Sequence, residues 1–277
     1  MNLFQCFSND PVVCVISLRG QIKEGGGKAI NLGNTRKMID EAFKHRSLKA
    51  VILNINSPGG SPVQSDLVST YIKDKAARRK VPVITFVEDM AASGGYWLAC
   101  TGTEIYAARS SIVGSIGVIS AGFGFHKLME KYGVERRIYT AGENKSFNDP
   151  FMPEKEKDVI ILKRTMEAMH QHFIDHVKAS RGDKLSGDEK LLFNGEFWTA
   201  EAALELGLID GIENMEALIT RKYGREGRVK VIRVKRKRGL LERLIGSPNS
   251  VLGGWTSPHH FPPSDFDLPD LLMLAVK

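Results

Sequence analysis

Cysteine is scarce in this sequence, which contains only Cys6, Cys14 and Cys100. Three cysteines at these spacings match neither a disulfide framework nor a zinc site. Cys14 and Cys100 lie within apolar runs, where a cysteine is typically a small core residue and not a reactive thiol. The cysteines therefore give no indication of redox or metal chemistry.

Long apolar runs are missing as well. No run approaches the roughly 20 residues that a membrane-spanning helix needs. The N-terminus also lacks the basic region and apolar segment of a signal peptide. The composition is 42% hydrophobic and 26% charged, with a formal net charge of +7, which is ordinary for a globular protein. We therefore expect a chain that is soluble or bound peripherally to a membrane.

Histidine is absent from the sharp loops in which a catalytic base would stand. All seven histidines fall in predicted helices or in the C-terminal tail: His45, His126, His170, His172, His176, His259 and His260. A Ser-His-Asp triad is therefore poorly supported. His172 and His176 have the spacing of two metal ligands on a helix, but no acidic residue follows in the zincin order. A solvated helix face is favoured over a metal site there.

Strands and helices alternate along the first 225 residues. Apolar runs bounded by glycine and proline predict strands at 12–18, 50–55, 83–87, 103–107 and 134–140. Apolar residues three or four apart predict helices at 34–43, 64–79, 123–133, 154–180 and 214–223. This alternation indicates an α/β domain with mainly parallel strand pairing.

A serine stands at the corner of one strand–helix pair. The stretch 81–100 begins as a buried strand and continues as a helix that starts near Gly94, with Ser93 between them. Small neighbours leave the serine hydroxyl uncovered and allow a substrate backbone to come close. A helix N-terminus also favours the negative charge of a tetrahedral oxyanion. Ser93 is therefore a candidate nucleophile, and the alternative is an ordinary turn in which it caps the helix.

Without a suitable histidine, the remaining base is a lysine. Lys145 is the single lysine in the predicted loop 141–153. A lysine accepts a proton only when it is neutral, so its pKa must fall well below about 10.4. Burial beside Phe147 and Phe151 would lower it. The Gly59–Gly60 turn, which follows the strand at 50–55, can aim a backbone N–H at the reacting carbonyl oxygen.

Four segments in this order resemble the signature segments of the signal peptide peptidase A family of Ser-Lys serine endopeptidases. They are NSPGG at 56–60, ASGGYW at 92–97, GSIGV at 114–118 and GENK at 142–145. The resemblance covers about residues 12–220. It implies an α/β fold of the Clp protease/crotonase type, built from repeated strand-strand-helix units.

The resemblance also implies roles for individual residues. Ser93 would be the nucleophile, Lys145 the general base, and Ser115 the residue that hydrogen-bonds and positions the lysine. Gly60 and Gly94 would form the oxyanion hole. No metal or cofactor is implied. The expected substrates are signal peptides or other unfolded or hydrophobic peptides, cleaved through an acyl-enzyme. The expected partner is the chain itself, in a ring whose neighbouring subunits share each site.

A second function remains possible on the same fold. A crotonase-like acyl-CoA enzyme also uses two backbone N–H groups to hold an oxyanion, and a non-catalytic scaffold needs no site at all. Crotonases generally use a carboxylate at the site. Ser93 and Lys145 stand where a nucleophile and a base are wanted, which favours the peptidase.

The C-terminal part differs from the rest in composition. We therefore divide the chain into a peptidase domain at 1–225 and a second region at 226–277. This region begins as a basic strand, continues as an amphipathic segment and ends as a proline-rich extended tail. The basic, leucine-containing segment 235–245 predicts peripheral contact with an anionic membrane, with a solvated charge run before a docking helix as the alternative. No aromatic residues are interleaved with the charges, so we expect no nucleic-acid binding.

Overall fold

The computed structural model describes residues 10–224 and 228–234, and it builds them around one sheet. The strands are β1 (Val12–Arg19), β2 (Leu48–Ser57), β3 (Val83–Ala92), β4 (Glu104–Ala107), β5 (Ile112–Gly114), β6 (Phe197–Thr199), β7 (Gly211–Ile212) and β8 (Lys230–Val234). The helices are α1 (Leu32–Ala42), α2 (Pro62–Arg79), α3 (Gly94–Ala99), α4 (His126–Lys131), α5 (Glu156–Arg181), α6 (Glu189–Leu192), α7 (Ala200–Glu205) and α8 (Met215–Tyr223). A short 3-10 turn, Gly182–Lys184, follows α5.

The sheet is mainly parallel, as the alternation of strands and helices predicts. Its main path runs β6-β5-β3-β2-β1-β8, while β4 pairs with β3 and β7 pairs with β4. Among the described strands, β5 and β6 form the one antiparallel pair. Parallel strands carry their carboxyl ends to the same edge of a sheet. Ser57 at the end of β2 pairs with Ala91 near the end of β3, so the turns that follow these two strands lie side by side.

Both faces of the sheet are buried, which explains why its central strands read as continuous apolar runs. One face carries Cys14 and Leu53 and packs against the larger group of helices, whereas Val13 and Ile52 on the other face pack with residues of α8. Cys14 and Cys100 are buried, and loss of hydration raises the pKa of each thiol to about 11. The prediction that they are core residues and not reactive thiols is confirmed.

The predicted strand at 134–140 is wrong. These residues form no strand, and the apolar side chains of Val134, Ile138 and Tyr139 are exposed. An apolar run forms a strand only beside a partner that accepts its backbone hydrogen bonds, and this run has none in the described chain. The helix predicted at 123–133 is also shorter, because α4 covers only His126–Lys131.

Residues 118–155, which we call the arm, contribute no residue to the buried core. No residue between 117 and 172 is buried. The arm is held mainly by contacts within itself. Phe125 donates a backbone hydrogen bond to the Pro150 carbonyl, and Arg136 forms an ion pair with Asp149.

Strand β8 adds to the far edge of the sheet, in parallel with β1. The division drawn from the sequence at residue 225 assigns this strand to the second region, whereas its hydrogen bonds make it part of the sheet. The predicted membrane-contact segment 235–245 and the tail to residue 277 lie outside the described residues. Within the described part of the chain, no helix has the length and apolar character needed to cross a membrane.

A buried ion pair ties the end of α5 to the sheet. The Arg181 side chain is 1% exposed, and its Nη1 lies 2.7 Å from Asp210 Oδ2. Its Nε donates to the Gly207 carbonyl, and Asp210 also accepts the backbone N–H of Ile105 in β4. Burial raises the pKa of the Asp210 carboxyl, but hydrogen bonds from Arg181 and Lys184 outweigh it and lower that pKa overall. Helix α5 is therefore fixed in place at its C-terminal end.

We expect Asp210→Ala to lower the free energy of unfolding by about 3–5 kcal/mol, because it leaves the buried Arg181 guanidinium without its anion. The measurement is urea unfolding at neutral pH. Glu201→Ala is the matched control, since it removes the acid of the exposed Arg109–Glu201 pair and should change stability little. A loss in Asp210→Ala no larger than that of the control would contradict the expectation.

Candidate active site

Ser93 occupies a strained corner between β3 and α3. Its backbone has φ 52° and ψ −123°, a conformation that costs an L-residue on the order of 1–3 kcal/mol and persists only where neighbours fix it. Its N–H donates to the Gly114 carbonyl at 2.8 Å. Its carbonyl accepts the N–H groups of Tyr96 and Trp97 at 2.8 and 3.0 Å. Strand, corner and helix thus hold this side chain at the carboxyl edge of the sheet.

The Ser93 hydroxyl is not engaged with the helix that follows it. The side chain is partly buried, and it makes no capping hydrogen bond to α3. Ser93 therefore occupies the N-cap position of α3 without capping the helix through its hydroxyl, and the predicted start of the helix at Gly94 is confirmed. A hydroxyl held at a corner without a capping bond is available as a nucleophile.

The turn after β2 packs tightly against this corner. A Cβ added to Gly59 would lie 2.8 Å from both the Ser93 Cβ and the Gly94 nitrogen. A Cβ added to Gly60 would lie 2.0 Å from the Ile22 carbonyl oxygen, and Gly60 has φ 138°. Only glycine fits either position, so the sequence Gly59-Gly60 is what allows the two turns to touch.

Two glycines with free backbone N–H groups lie close together beside the serine as a result. A Cβ on Gly94 would come within 3.3 Å of the Gly60 nitrogen, which places these two residues in direct contact. Neither N–H donates a hydrogen bond to another described residue. Paired free donors of this kind suit an oxygen that becomes negative during a reaction. The structure brings together three of the predicted site residues: Ser93, Gly60 and Gly94.

Ser115 lies on the adjoining loop. It follows β5 with φ 53°, and its N–H donates to the Glu196 carbonyl at 2.6 Å. The preceding residue, Gly114, is the one that accepts the Ser93 N–H. One backbone hydrogen bond therefore joins the two loops that carry the two serines.

Lys145 lies on the arm, away from the packed corner. Its side chain is exposed, and no hydrogen bond joins it to Ser93 or Ser115 within the described chain. Phe151 stacks on Phe125 with ring centroids 5.6 Å apart, so it packs within the arm. The prediction that Phe147 and Phe151 bury this lysine is therefore wrong for the single chain.

Helix α5 contributes one histidine, His176, that the sequence did not assign to the site. His176 stacks on Trp97 with ring centroids 4.4 Å apart, and its Nε2 donates to the Trp97 carbonyl at 3.1 Å. The predicted solvated helix face is confirmed for His172, which is exposed. It is wrong for His176, which is partly buried. The buried Phe173 could have revealed this, because residue 176 adjoins residue 173 on a helix.

The environment of His176 favours its neutral form. Burial is the main cause, and repulsion from Lys73 adds to it, so the pKa falls from 6.5 to about 4. In the described part of the chain, no group of three histidine, cysteine or acidic side chains could hold a metal ion. His176 therefore supports helix α3 through a neutral ring.

Comparisons with known proteins agree with this geometry. The model of peptidase family S49 matches residues 75–227. The chain is 49% identical over 234 residues to a Na(+)/H(+) antiporter NhaA of Brucella melitensis, covering 83% of this chain and 31% of that protein. It is 31% identical over 234 residues to the chloroplastic serine protease SPPA of Arabidopsis thaliana, covering 82% and 34%. The chain thus spans about a third of the length of these two curated relatives.

A solved structure shows the fold. It is a serine-to-alanine mutant of the 1510-N membrane-bound stomatin-specific protease, with a TM-score of 0.52 and 18% identity. The match covers 82% of this chain and 99% of that one. The predicted α/β fold of the Clp protease/crotonase type is confirmed.

The lowered pKa of His176 predicts a loss of stability in acid. The unfolded chain binds more protons than the folded one between pH 6.5 and about 4, so stability falls as pH drops through that range. His176→Gln keeps a donor for the Trp97 carbonyl but does not titrate. Between pH 7 and 4.5, we expect wild type to lose roughly 2 kcal/mol more than this variant.

Urea unfolding at the two pH values measures the difference. His172→Gln is the control, because it removes an exposed histidine from the same helix. An equal pH dependence in wild type and His176→Gln would show that His176 does not resist protonation.

Proposed function

The chain belongs to peptidase family S49, and on that premise we propose that it is a serine endopeptidase with a Ser93–Lys145 dyad. The observation that carries the proposal is the corner at Ser93. A strained serine with an uncapped hydroxyl stands beside two free backbone N–H groups. A scaffold without catalytic activity has no need for backbone strain at that position.

The proposed reaction follows from these positions. Ser93 Oγ attacks the peptide carbonyl carbon, while neutral Lys145 Nζ takes the hydroxyl proton. The oxyanion that forms accepts hydrogen bonds from the Gly60 and Gly94 N–H groups. The lysine then gives its proton to the leaving amine, and an acyl-enzyme remains. Water attacks the ester with the same lysine as base, and the proton returns to Ser93 Oγ as the acid product leaves.

The base requires surroundings that the described residues of this chain do not supply. A lysine loses its charge near neutral pH only where water is largely excluded from it. Lys145 is exposed here, on an arm that contributes no residue to the buried core. We therefore assign the missing surroundings to a second copy of the chain.

The arm has the surface expected of such a contact. Ile119, Phe123 and Tyr139 are 85%, 80% and 91% exposed. Large apolar side chains that are exposed at several positions of one segment are expected at a surface that docks on a partner. We propose that the arm docks on the neighbouring subunit of a ring and carries Lys145 to that subunit's Ser93.

The proposed substrates are signal peptides or other unfolded or hydrophobic peptides. Such peptides can offer an extended backbone whose carbonyl carbon reaches the Ser93 hydroxyl, whereas a folded protein does not present one. An acyl-CoA thioester would also suit the two N–H groups, but a crotonase-type reaction has no use for a strained serine nucleophile. Peripheral membrane contact through 235–245 stays a prediction, because that segment lies outside the described residues.

We expect Ser93→Ala and Lys145→Ala each to lower peptide hydrolysis by at least about a thousandfold, because nucleophile and base act as one unit. A fluorophosphonate probe should label wild type at Ser93. Lys127→Ala is the control, since it removes another exposed lysine of the arm. Full activity in either dyad variant would refute the mechanism. Thioester turnover without probe labelling would favour the acyl-CoA alternative.

Mixing tests whether subunits share the site. Ser93→Ala supplies the lysine and Lys145→Ala supplies the serine. After subunit exchange at equal amounts, about one quarter of the sites should contain both groups. Hydrolysis should therefore recover to about a quarter of wild type, while each variant alone stays inactive. No recovery, despite exchange shown by mass spectrometry of the mixed particles, would mean that each site lies within one chain.

A further inference from the structure

Helix α5 makes a hydrogen bond to the loop that carries Ser115. His170 Nε2 lies 3.1 Å from the carbonyl oxygen of Ile116, the residue after Ser115. A carbonyl only accepts hydrogen bonds, so the Nε2 atom carries the proton and donates. Ile116 is fully buried and His170 is partly buried, so water competes little for this bond.

Ser115 needs such support on both sides. Its φ of 53° is unfavourable for an L-residue and is kept only where the neighbouring peptides are fixed. On its N-terminal side, the Gly114 carbonyl accepts the Ser93 N–H, and the Ser115 N–H donates to Glu196. On its C-terminal side, the bond from Gly117 to the Ser115 carbonyl stays within the loop. Among the described residues, His170 supplies the hydrogen bond from another element on that side.

Helix α5 is itself fixed relative to Ser93. Phe173 packs on Trp97 with ring centroids 5.2 Å apart, and His176 donates to the Trp97 carbonyl. Trp97 belongs to α3, the helix that begins directly after Ser93. One rigid helix therefore contacts the nucleophile's helix through His176 and the Ser115 loop through His170.

We propose that His170 is a positioning residue of the peptidase: its Nε2–H holds the Ile116 carbonyl and thereby sets the Ser115 hydroxyl where it meets the lysine base. This inference rests on the proposed Ser-Lys mechanism. His170 touches neither substrate nor the reacting atoms, and it acts only through the loop backbone. Misplacing a group that orients a base affects the chemical step more than substrate binding.

The test compares His170→Ala, His170→Gln and the exposed control His172→Ala. Total fluorophosphonate labelling counts intact sites, and kcat is expressed per labelled site. We expect His170→Ala to lower this kcat about ten- to a hundredfold with KM within about twofold of wild type. Glutamine can place its Nε2–H near the same carbonyl, so His170→Gln should recover most of the loss. His172→Ala should equal wild type.

A wild-type kcat per labelled site in His170→Ala would overturn the proposal, and so would a loss that glutamine does not reduce. Either result would mean that the histidine affects only the fraction of folded protein or the helix packing. If the proposed Ser-Lys mechanism itself were wrong, the result would differ, because wild type would then neither react with the fluorophosphonate probe nor hydrolyse peptide.

Hydrogen exchange followed by mass spectrometry provides a readout that does not depend on activity. Peptides covering residues 112–118 should exchange faster in His170→Ala than in wild type, and β2 peptides should not change. His170→Gln should restore the slow exchange, and His172→Ala should match wild type. Unchanged exchange at 112–118 in His170→Ala would overturn the proposal even if the protein proves to be an active peptidase.

Discussion

The hydrogen bond from the Ser93 N–H to the Gly114 carbonyl is the contact around which the candidate site is organised. It joins the end of β3 to the end of β5 and lies between two serines with positive φ. Such backbone conformations are unfavourable alone, so each depends on the contacts that fix the other. The parallel sheet makes this possible, because it delivers the ends of β2, β3 and β5 to the same edge.

Local chemistry made the corner at Ser93 predictable from the sequence. A buried apolar strand, a run of small residues and a helix start are all encoded within 20 consecutive residues. The glycines at 59 and 60 were equally readable, because only residues without a side chain permit such close approach of two backbones. Four motifs in order then indicated the family and its fold, which the comparisons support.

Features that depend on distant or external partners were not predictable in this way. The apolar run at 134–140 has the composition of a strand, but a strand also requires a neighbour to bond with, and the described part of the chain offers none. Burial of Lys145 fails for the same reason, since its surroundings are not encoded in the adjacent phenylalanines. The position of His176 depends on how α5 meets Trp97, a contact across 79 residues of sequence.

The sheet domain is packed and the arm is not, so the two parts tolerate different amounts of sequence change during evolution. Side chains at 118–155 contribute little to the interior, so replacing them leaves the free energy of folding nearly unchanged. Selection on that surface is therefore not constrained by the packing of the sheet domain. The corner at Ser93 has no comparable freedom, because the Ile22 carbonyl already fills the space that any larger residue at position 60 would need.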